Sequence, residues 1–254
     1  MRVARFLLVV LVASPAMAAT SLFPKPLHLV RRVEDAVTRK AEAVDEYCYG
    51  NRIITVRGKR VSIADYAAQQ LTTIDHEAGT YSVTRFDEIA QAASRLNAPR
   101  AASGAPPKVI AMGLKGGLDG YRIDGGAAKI DVTIDRRISL SRDAVEALLG
   151  AAYPNTRRPE HDALLQAAAG GGGGGRIVAQ SAGEVQYGLP SEQTITYSME
   201  GTSLTFRTAI VRTDADLVPQ ELLLIPPGAT RVESRITRIG RELEDIESLP
   251  ARKQ

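Results

Sequence analysis

The tripeptide Asp75-His76-Glu77 contains the residue types that come nearest to acid–base chemistry in this sequence. A histidine between two carboxylates can act as a general base, because a neighbouring negative charge favours the imidazolium form. Consecutive residues of a strand point to opposite faces, however, and polar residues are typical of turns. We therefore interpret the tripeptide as a solvated hairpin turn rather than a catalytic site.

Sequence motifs for nucleophilic, metal and nucleotide chemistry are missing from the chain. It contains no G-x-S-x-G, no H-E-x-x-H and no G-x-x-x-x-G-K-[ST]. The three histidines, His28, His76 and His161, are too far apart in sequence for a local metal-ligand motif. A single cysteine, Cys48, excludes an intramolecular disulfide and a zinc cluster built on thiolates. We predict no catalytic residues, no metal site and no cofactor.

The amino terminus has the three parts of a secretory signal peptide. Arg2 and Arg5 form a short cationic region, Phe6–Ala13 is continuously apolar, and Ala16-Met17-Ala18 supplies the small residues of a cleavage site. The apolar run is roughly half of the 20 residues that a membrane-spanning helix needs. We predict that residues 1–18 are cleaved, that the protein is exported to the periplasm, and that the mature chain of 19–254 has no transmembrane segment.

The charge balance argues against a nucleic-acid partner. The chain of 254 residues is 44% hydrophobic and 24% charged, as in an ordinary globular protein. Loss of Arg2 and Arg5 with the signal peptide leaves 30 basic residues against 29 acidic ones. The basic residues are scattered among acidic ones, whereas a phosphate-binding surface requires clustered positive charge.

Alternation of apolar and polar residues predicts strands from Leu27 to Phe86. The segments Arg52–Arg57 and Arg60–Tyr66 flank Gly58-Lys59, which is typical of a tight hairpin. Further strands over 70–75 and 80–86 complete an antiparallel meander.

A second group of strands is predicted after a helical stretch. Its extended segments are 109–121, 129–135, 176–187, 193–200, 203–213 and 217–225. Helices are predicted over 88–96, 142–152 and 160–169, and an amphipathic helix is predicted near the C-terminus, with Val232, Ile236, Ile239, Leu243 and Ile246 along its apolar side. Flexible inserts are predicted near 98–107 and at the glycine run 170–175. The pattern leaves open whether the strands form one sheet or two subdomains.

The fold class predicted from these elements is α+β and mainly antiparallel β, with a strongly curved sheet or half-open barrel covered by helices. Apolar side chains in a gap between sheet and helices would line a ligand site, and otherwise they would fill a dry core. The candidates are the alternating apolar residues of the strands, namely Val61, Ile63, Tyr81, Val83, Ile130, Val132, Ile195, Tyr197, Leu204 and Phe206.

Three segments resemble periplasmic proteins of the lipoprotein-carrier superfamily. They are the hairpin stretch Asn51–Phe86, the strand-Ser-helix transition Ile134–Leu149, and Leu217–Val232, which is similar to the P-x-x-L-x-x-(I/V)-P-x-G-(Y/A) ending of an uncharacterised exported branch. The three segments contain 68 of the 236 residues of the mature chain. The resemblance implies a curved antiparallel sheet whose concave face, in the better-known relatives, binds acyl chains of lipids or lipoproteins. No functional residues are carried over with it.

The leading hypothesis is an exported, non-enzymatic protein of the cell envelope that binds an apolar ligand, lipid or lipidated partner on its curved sheet. The alternative is a structural or scaffolding protein whose C-terminal helix, within 230–249, docks on an envelope partner. A hydrolase using Asp75, His76 or Ser181 is a remote third hypothesis.

Overall fold

The computed structural model describes residues 21–97, 106–125, 128–150, 159–170, 185–199 and 202–239. The predicted signal peptide, residues 1–18, lies outside the described residues. So do most of the two predicted inserts and the part of the predicted C-terminal helix beyond residue 239.

Within the described residues, twelve strands form one open sheet and four short helices accompany it. The strands are β1 (Phe23–Glu34), β2 (Ala41–Gly50), β3 (Arg52–Arg57), β4 (Arg60–Asp65), β5 (Gln70–Asp75), β6 (Thr80–Arg85), β7 (Lys108–Lys115), β8 (Leu118–Asp124), β9 (Ala128–Leu140), β10 (Tyr187–Met199), β11 (Thr202–Asp214) and β12 (Thr230–Arg231). The helices are α1 (Phe86–Asn97), α2 (Arg142–Gly150), α3 (Pro159–Ala168) and α4 (Gln220–Leu223).

The strand order is β12-β6-β5-β4-β3-β2-β1-β11-β10-β9-β8-β7. Two antiparallel meanders, β1–β6 and β7–β11, are therefore joined through the antiparallel pairing of β1 with β11. Among the strand pairs of the described residues, only the short pairing of β12 with β6 is parallel. The predicted fold class is confirmed: the protein is α+β, mainly antiparallel, with a curved open sheet, and all described strands belong to that one sheet.

The hairpin between β3 and β4 shows how local sequence sets these strands. Arg57 pairs with Arg60, so that Gly58 and Lys59 alone form the turn. Gly58 has a φ of 59°, a left-handed conformation that glycine adopts without a steric penalty. The predicted hairpin is confirmed.

The carboxylate of Asp65 holds the turn that follows β4. It accepts hydrogen bonds from the backbone N–H groups of Ala67 and Ala68, at 3.1 Å and 2.9 Å, and from Arg52 Nε at 2.7 Å. Such a side chain takes the place of a backbone partner in a polar turn.

We expect Asp65 to make the stability of the protein fall at acid pH. Burial acts to raise the pKa of Asp65, but the backbone N–H of Ala68 and the guanidinium of Arg52 outweigh it and hold that pKa below the usual 3.8. The folded state therefore binds the proton less tightly than the unfolded chain. The resulting stability is present above the unfolded value and is lost as the pH falls through the lowered one.

The measurement is the free energy of unfolding by urea from about pH 7 to about pH 2. The Asp65→Asn variant should be less stable than wild type at neutral pH and should lose less stability on acidification. A Glu77→Gln variant, altered at an exposed turn residue, should keep the wild-type pH profile. Parallel profiles for wild type and Asp65→Asn would contradict this account.

Three helices cover one face of the sheet, which we call the helix face. Buried side chains of α3 pack on β8 and β9, those of α2 pack on β1, β2 and β3, and those of α1 pack on β4. Cys48 belongs to this core; it is fully buried, and burial raises the pKa of its thiol. The helices thus bury the apolar half of each alternating strand.

The segment 217–223 covers part of the opposite face. Val218 is buried there with Ile54 and Val61, and Leu222 and Leu223 pack against the same cluster. The prediction of an extended segment over 217–225 was wrong, because Gln220–Leu223 forms a helical turn. In this form the segment places Val218, which precedes the helical turn, and Leu222 and Leu223, which lie within it, on the same apolar cluster.

The first described turn of the predicted C-terminal helix, residues 235–239, lies beside α1. Its residue Ile236 packs against the core cluster that contains Phe86 and Ile89. In this part of the helix, the apolar side therefore contacts its own domain. Among the helices in the described part of the chain, none is long and apolar enough to span a membrane.

Candidate functional site

The ten apolar residues predicted to line one ligand site are divided between the two faces of the sheet. Strand pairing and core packing place four on the opposite face and six on the helix face. This division corrects the prediction of a single site, and it arises because the sheet has an apolar covering on both sides.

The four residues on the opposite face are Val61, Ile63, Tyr81 and Val83. Val61 is fully buried under Val218, and Ile63 packs against the same cluster. Across the sheet, Val61 pairs with Ile74, which pairs with Tyr81. Ile63 likewise pairs with Thr72, which pairs with Val83, so that Val83 lies on the same face as Ile63. Val61 and Ile63 therefore belong to the core beneath the segment 217–223, and Tyr81 and Val83 lie partly buried on neighbouring strands of the same face.

The six residues on the helix face differ in burial. Ile130 and Val132 are buried in the cluster that contains the side chains of α3. Ile195 pairs with Ile130 across β9 and β10 and is only partly buried. For Ile130 and Val132, the dry-core interpretation therefore holds.

Four of the helix-face residues form a partly exposed apolar patch on β10 and β11, made of Ile195, Tyr197, Leu204 and Phe206. Ile195 lies directly opposite Phe206, and Tyr197 lies directly opposite Leu204. The rings of Tyr197 and Phe206 meet edge to face, with centroids 6.0 Å apart. Phe206 is 40% exposed, although Ile130 on the same face is 3% exposed. The apolar patch thus contains Phe206, the most exposed residue of the predicted site.

A second cluster, which sequence reasoning missed, surrounds His28 at the centre of the sheet. His28 is 1% exposed, and its ring stacks on Tyr47 with the centroids 4.1 Å apart and the planes parallel within 1°. Its Nε2 lies 3.0 Å from Oδ1 of Asp45, and its Nδ1 lies 2.8 Å from Oδ1 of Asp214. The imidazole therefore connects β1 to both neighbouring strands.

Charged groups concentrate around this imidazole. Arg212 Nε lies 2.9 Å from Oδ2 of Asp214, and the backbone N–H of Asp216 donates to Oδ1 of Asp214 at 3.0 Å. The hydrogen bond from this N–H is the main interaction that lowers the pKa of Asp214. Burial raises the pKa of the Tyr47 hydroxyl, and the negative charge of Asp45 adds to the increase.

The tripeptide Asp75-His76-Glu77 forms a turn, as the sequence analysis predicted. Asp75 accepts hydrogen bonds from Arg60 and from the backbone N–H groups of Glu77 and Ala78. His76 Nε2 lies 3.1 Å from the carbonyl oxygen of Leu222. The imidazole is thus directed at the segment that crosses the sheet, while Asp75 is engaged by Arg60 and the turn backbone.

The His28 cluster had no signal in sequence spacing. Asp45 lies 17 residues from His28, and Asp214 lies 186 residues from it. Only the pairing of β1 with β2 and β11 brings the three side chains together. The position of His28 between Leu27 and Leu29 is the one local feature that could have drawn attention to it.

Comparisons with known proteins identify no family. No protein-family model matches the chain, and no curated protein matches it. Among solved structures, it is similar to PNGF-II in a C2 crystal form, with 9% identity and a TM-score of 0.36 over 86% of this chain and 33% of that one. For PNGF-II in a P21 form the identity is 7% and the TM-score 0.38, over 85% and 33%. The chain thus spans about a third of the PNGF-II chains, and a likeness this weak supports no functional argument.

Proposed function

We propose that this protein is an exported cell-envelope protein that binds an apolar ligand on its curved sheet and catalyses no reaction. The ligand class is the acyl chain of a lipid or of a lipidated protein. The observation that carries the proposal is the apolar patch of Ile195, Tyr197, Leu204 and Phe206, which is partly exposed on the helix face.

The position of the apolar patch supports this ligand class. The patch lies on the helix face, where helices bury the other apolar residues. A bound acyl chain would therefore contact the edge of the core at Ile195. An aliphatic chain gains about 0.8 kcal/mol for each methylene group that it removes from water. Aliphatic and aromatic side chains without a charged group suit such a chain better than they suit a polar substrate.

Two features of the sequence support the cellular setting and the class of protein. Residues 1–18 have the pattern of a cleaved signal peptide. The segments Asn51–Phe86 and Leu217–Val232 resemble the lipoprotein-carrier superfamily, in which a curved sheet binds acyl chains. We propose that the protein belongs to an exported branch related to that superfamily.

The proposal predicts that Phe206→Ala weakens binding of a fluorescent fatty-acid probe. Because Phe206 supplies the largest exposed apolar surface of the patch, we expect the dissociation constant to rise at least about tenfold, which corresponds to about 1.4 kcal/mol. Fluorescence titration of the purified protein measures this constant. Probes with progressively shorter acyl chains should bind progressively more weakly.

The control is Leu114→Ala, which removes an equally apolar side chain that is 76% exposed on the edge strand β7. This variant should bind the probe as wild type does. Wild-type protein that ignores the probe, or equal affinities for Phe206→Ala and Leu114→Ala, would contradict the proposed site.

A further inference from the structure

The His28 cluster presents three donor atoms that can surround a metal ion. A ring nitrogen of His28 and one carboxylate oxygen each from Asp214 and Asp216 all lie within 4.8 Å of one another. Ligands of a tetrahedral zinc ion lie about 2.0–2.2 Å from it, so that any two of them are about 3.3–3.6 Å apart. Because Asp216 is exposed, its side chain has room to move toward the other two donors when an ion binds.

Asp45 prepares His28 to act as a ligand. A histidine that binds a metal through one ring nitrogen normally donates its other N–H to a carboxylate, which sets the tautomer and the orientation of the ring. Here Nε2 faces Asp45 at 3.0 Å, which leaves Nδ1 directed at Asp214. Burial and stacking on Tyr47 prevent the ring from turning away.

The charge of the surroundings suits a divalent cation. The three carboxylates of Asp45, Asp214 and Asp216 are accompanied by one guanidinium, that of Arg212, so that acidic side chains outnumber basic ones around the imidazole. Arg212 pairs with Oδ2 of Asp214, so that Oδ1 is the oxygen on the side of the imidazole. Binding of a cation to both Nδ1 of His28 and Oδ1 of Asp214 would replace the hydrogen bond between them, and the two atoms would move apart from 2.8 Å to about 3.4 Å.

We propose that His28, Asp214 and Asp216 bind a divalent transition-metal ion, with Asp45 as the positioning residue. One imidazole nitrogen and two carboxylate oxygens form a mixed donor set that suits Zn²⁺. Three protein ligands leave at least one coordination position to water. The ion would link β1 to the residues that follow β11. It would lie on the face of the sheet opposite to the apolar patch, so that metal binding is independent of ligand binding at the patch.

The test is isothermal titration of the full, tag-free chain with Zn²⁺. We expect one ion per chain for wild type and a dissociation constant raised at least about tenfold by Asp216→Asn, because that substitution removes a charged ligand at an exposed position. Glu77→Gln, which removes an exposed carboxylate from a distant turn, should leave the titration unchanged. Wild-type protein that binds no Zn²⁺, or Asp216→Asn protein that binds it as wild type does, overturns the proposal.

The coordination itself is read from Co²⁺ bound in place of Zn²⁺. Visible absorption of the Co²⁺ complex reports the ligands and geometry without any assay of activity. His28→Gln should abolish the wild-type spectrum, and Asp45→Ala should alter affinity while circular dichroism remains native. A Co²⁺ spectrum identical in wild type and in a folded His28→Gln variant would show that His28 is not a ligand.

Discussion

Replacement of Phe86 by alanine is expected to lower the free energy of unfolding by about 3–5 kcal/mol, as is typical for truncation of a large, fully buried aromatic residue. Phe86 has no exposed surface and begins α1 directly after β6. Its ring meets that of Tyr66 edge to face, with centroids 5.3 Å apart, and packs with Ala64 and Ile89. Alanine at this position leaves a cavity between α1 and the sheet.

Phe206→Ala is the matched control, because it makes the same substitution on the same face of the sheet. Phe206 is 40% exposed, and its truncation should cost no more than about 1 kcal/mol. Urea unfolding of both variants measures the difference. Equal losses of stability would mean that Phe206 belongs to the core, and the apolar patch would then lose its role as a ligand surface.

Replacement of His28 by leucine is expected to lower the free energy of unfolding by about 2–4 kcal/mol, because two hydrogen bonds to charged groups are lost from a buried site. Leucine fills a similar volume but donates to neither Asp45 nor Asp214. These two carboxylates remain between paired strands without their common partner. The substitution therefore weakens the pairing of β1 with β11, where the two meanders meet.

His76→Leu provides the comparison for this variant. His76 is half-buried and lies within hydrogen-bonding distance of one backbone oxygen, that of Leu222, so its replacement should cost only about 1 kcal/mol. Unfolding in a metal-free buffer keeps the measurement separate from cation binding. If His28→Leu costs no more than His76→Leu, the two carboxylates do not hold β1 in place.

The strands could be predicted where one side of each is buried and the other is polar. In Arg52–Arg57 and Arg60–Asp65 the alternation and the turn glycine agree, so that the predicted and observed bounds differ by one residue. Segment 217–225 lacks this regular alternation of apolar and polar residues, and an extended conformation was predicted for it from its apolar content alone. The helical turn Gln220–Leu223 has only four residues, too few for the apolar spacing of a helix to show in the sequence.

The candidate site could be predicted only in part. Alternation shows which residues of one strand share a face, but the pairing of distant strands decides which face that is. A β-bulge between Val30 and Arg31, in the pairing of β1 with β11, shifts the register and so changes which residues of the two strands share a face. No local pattern in the sequence records it. Alternation therefore identified the apolar side of each strand, but it did not show that the ten residues are divided between two faces of the sheet.

The most direct test of the proposed function is native mass spectrometry of the protein purified from the cell envelope, followed by lipid extraction of the same sample. We expect an added mass that extraction releases as an acylated compound and that is depleted in Phe206→Ala but retained in Leu114→Ala. Protein that carries no such mass in the wild type, or carries it equally in both variants, would contradict the assignment of β10 and β11 as an acyl-chain surface.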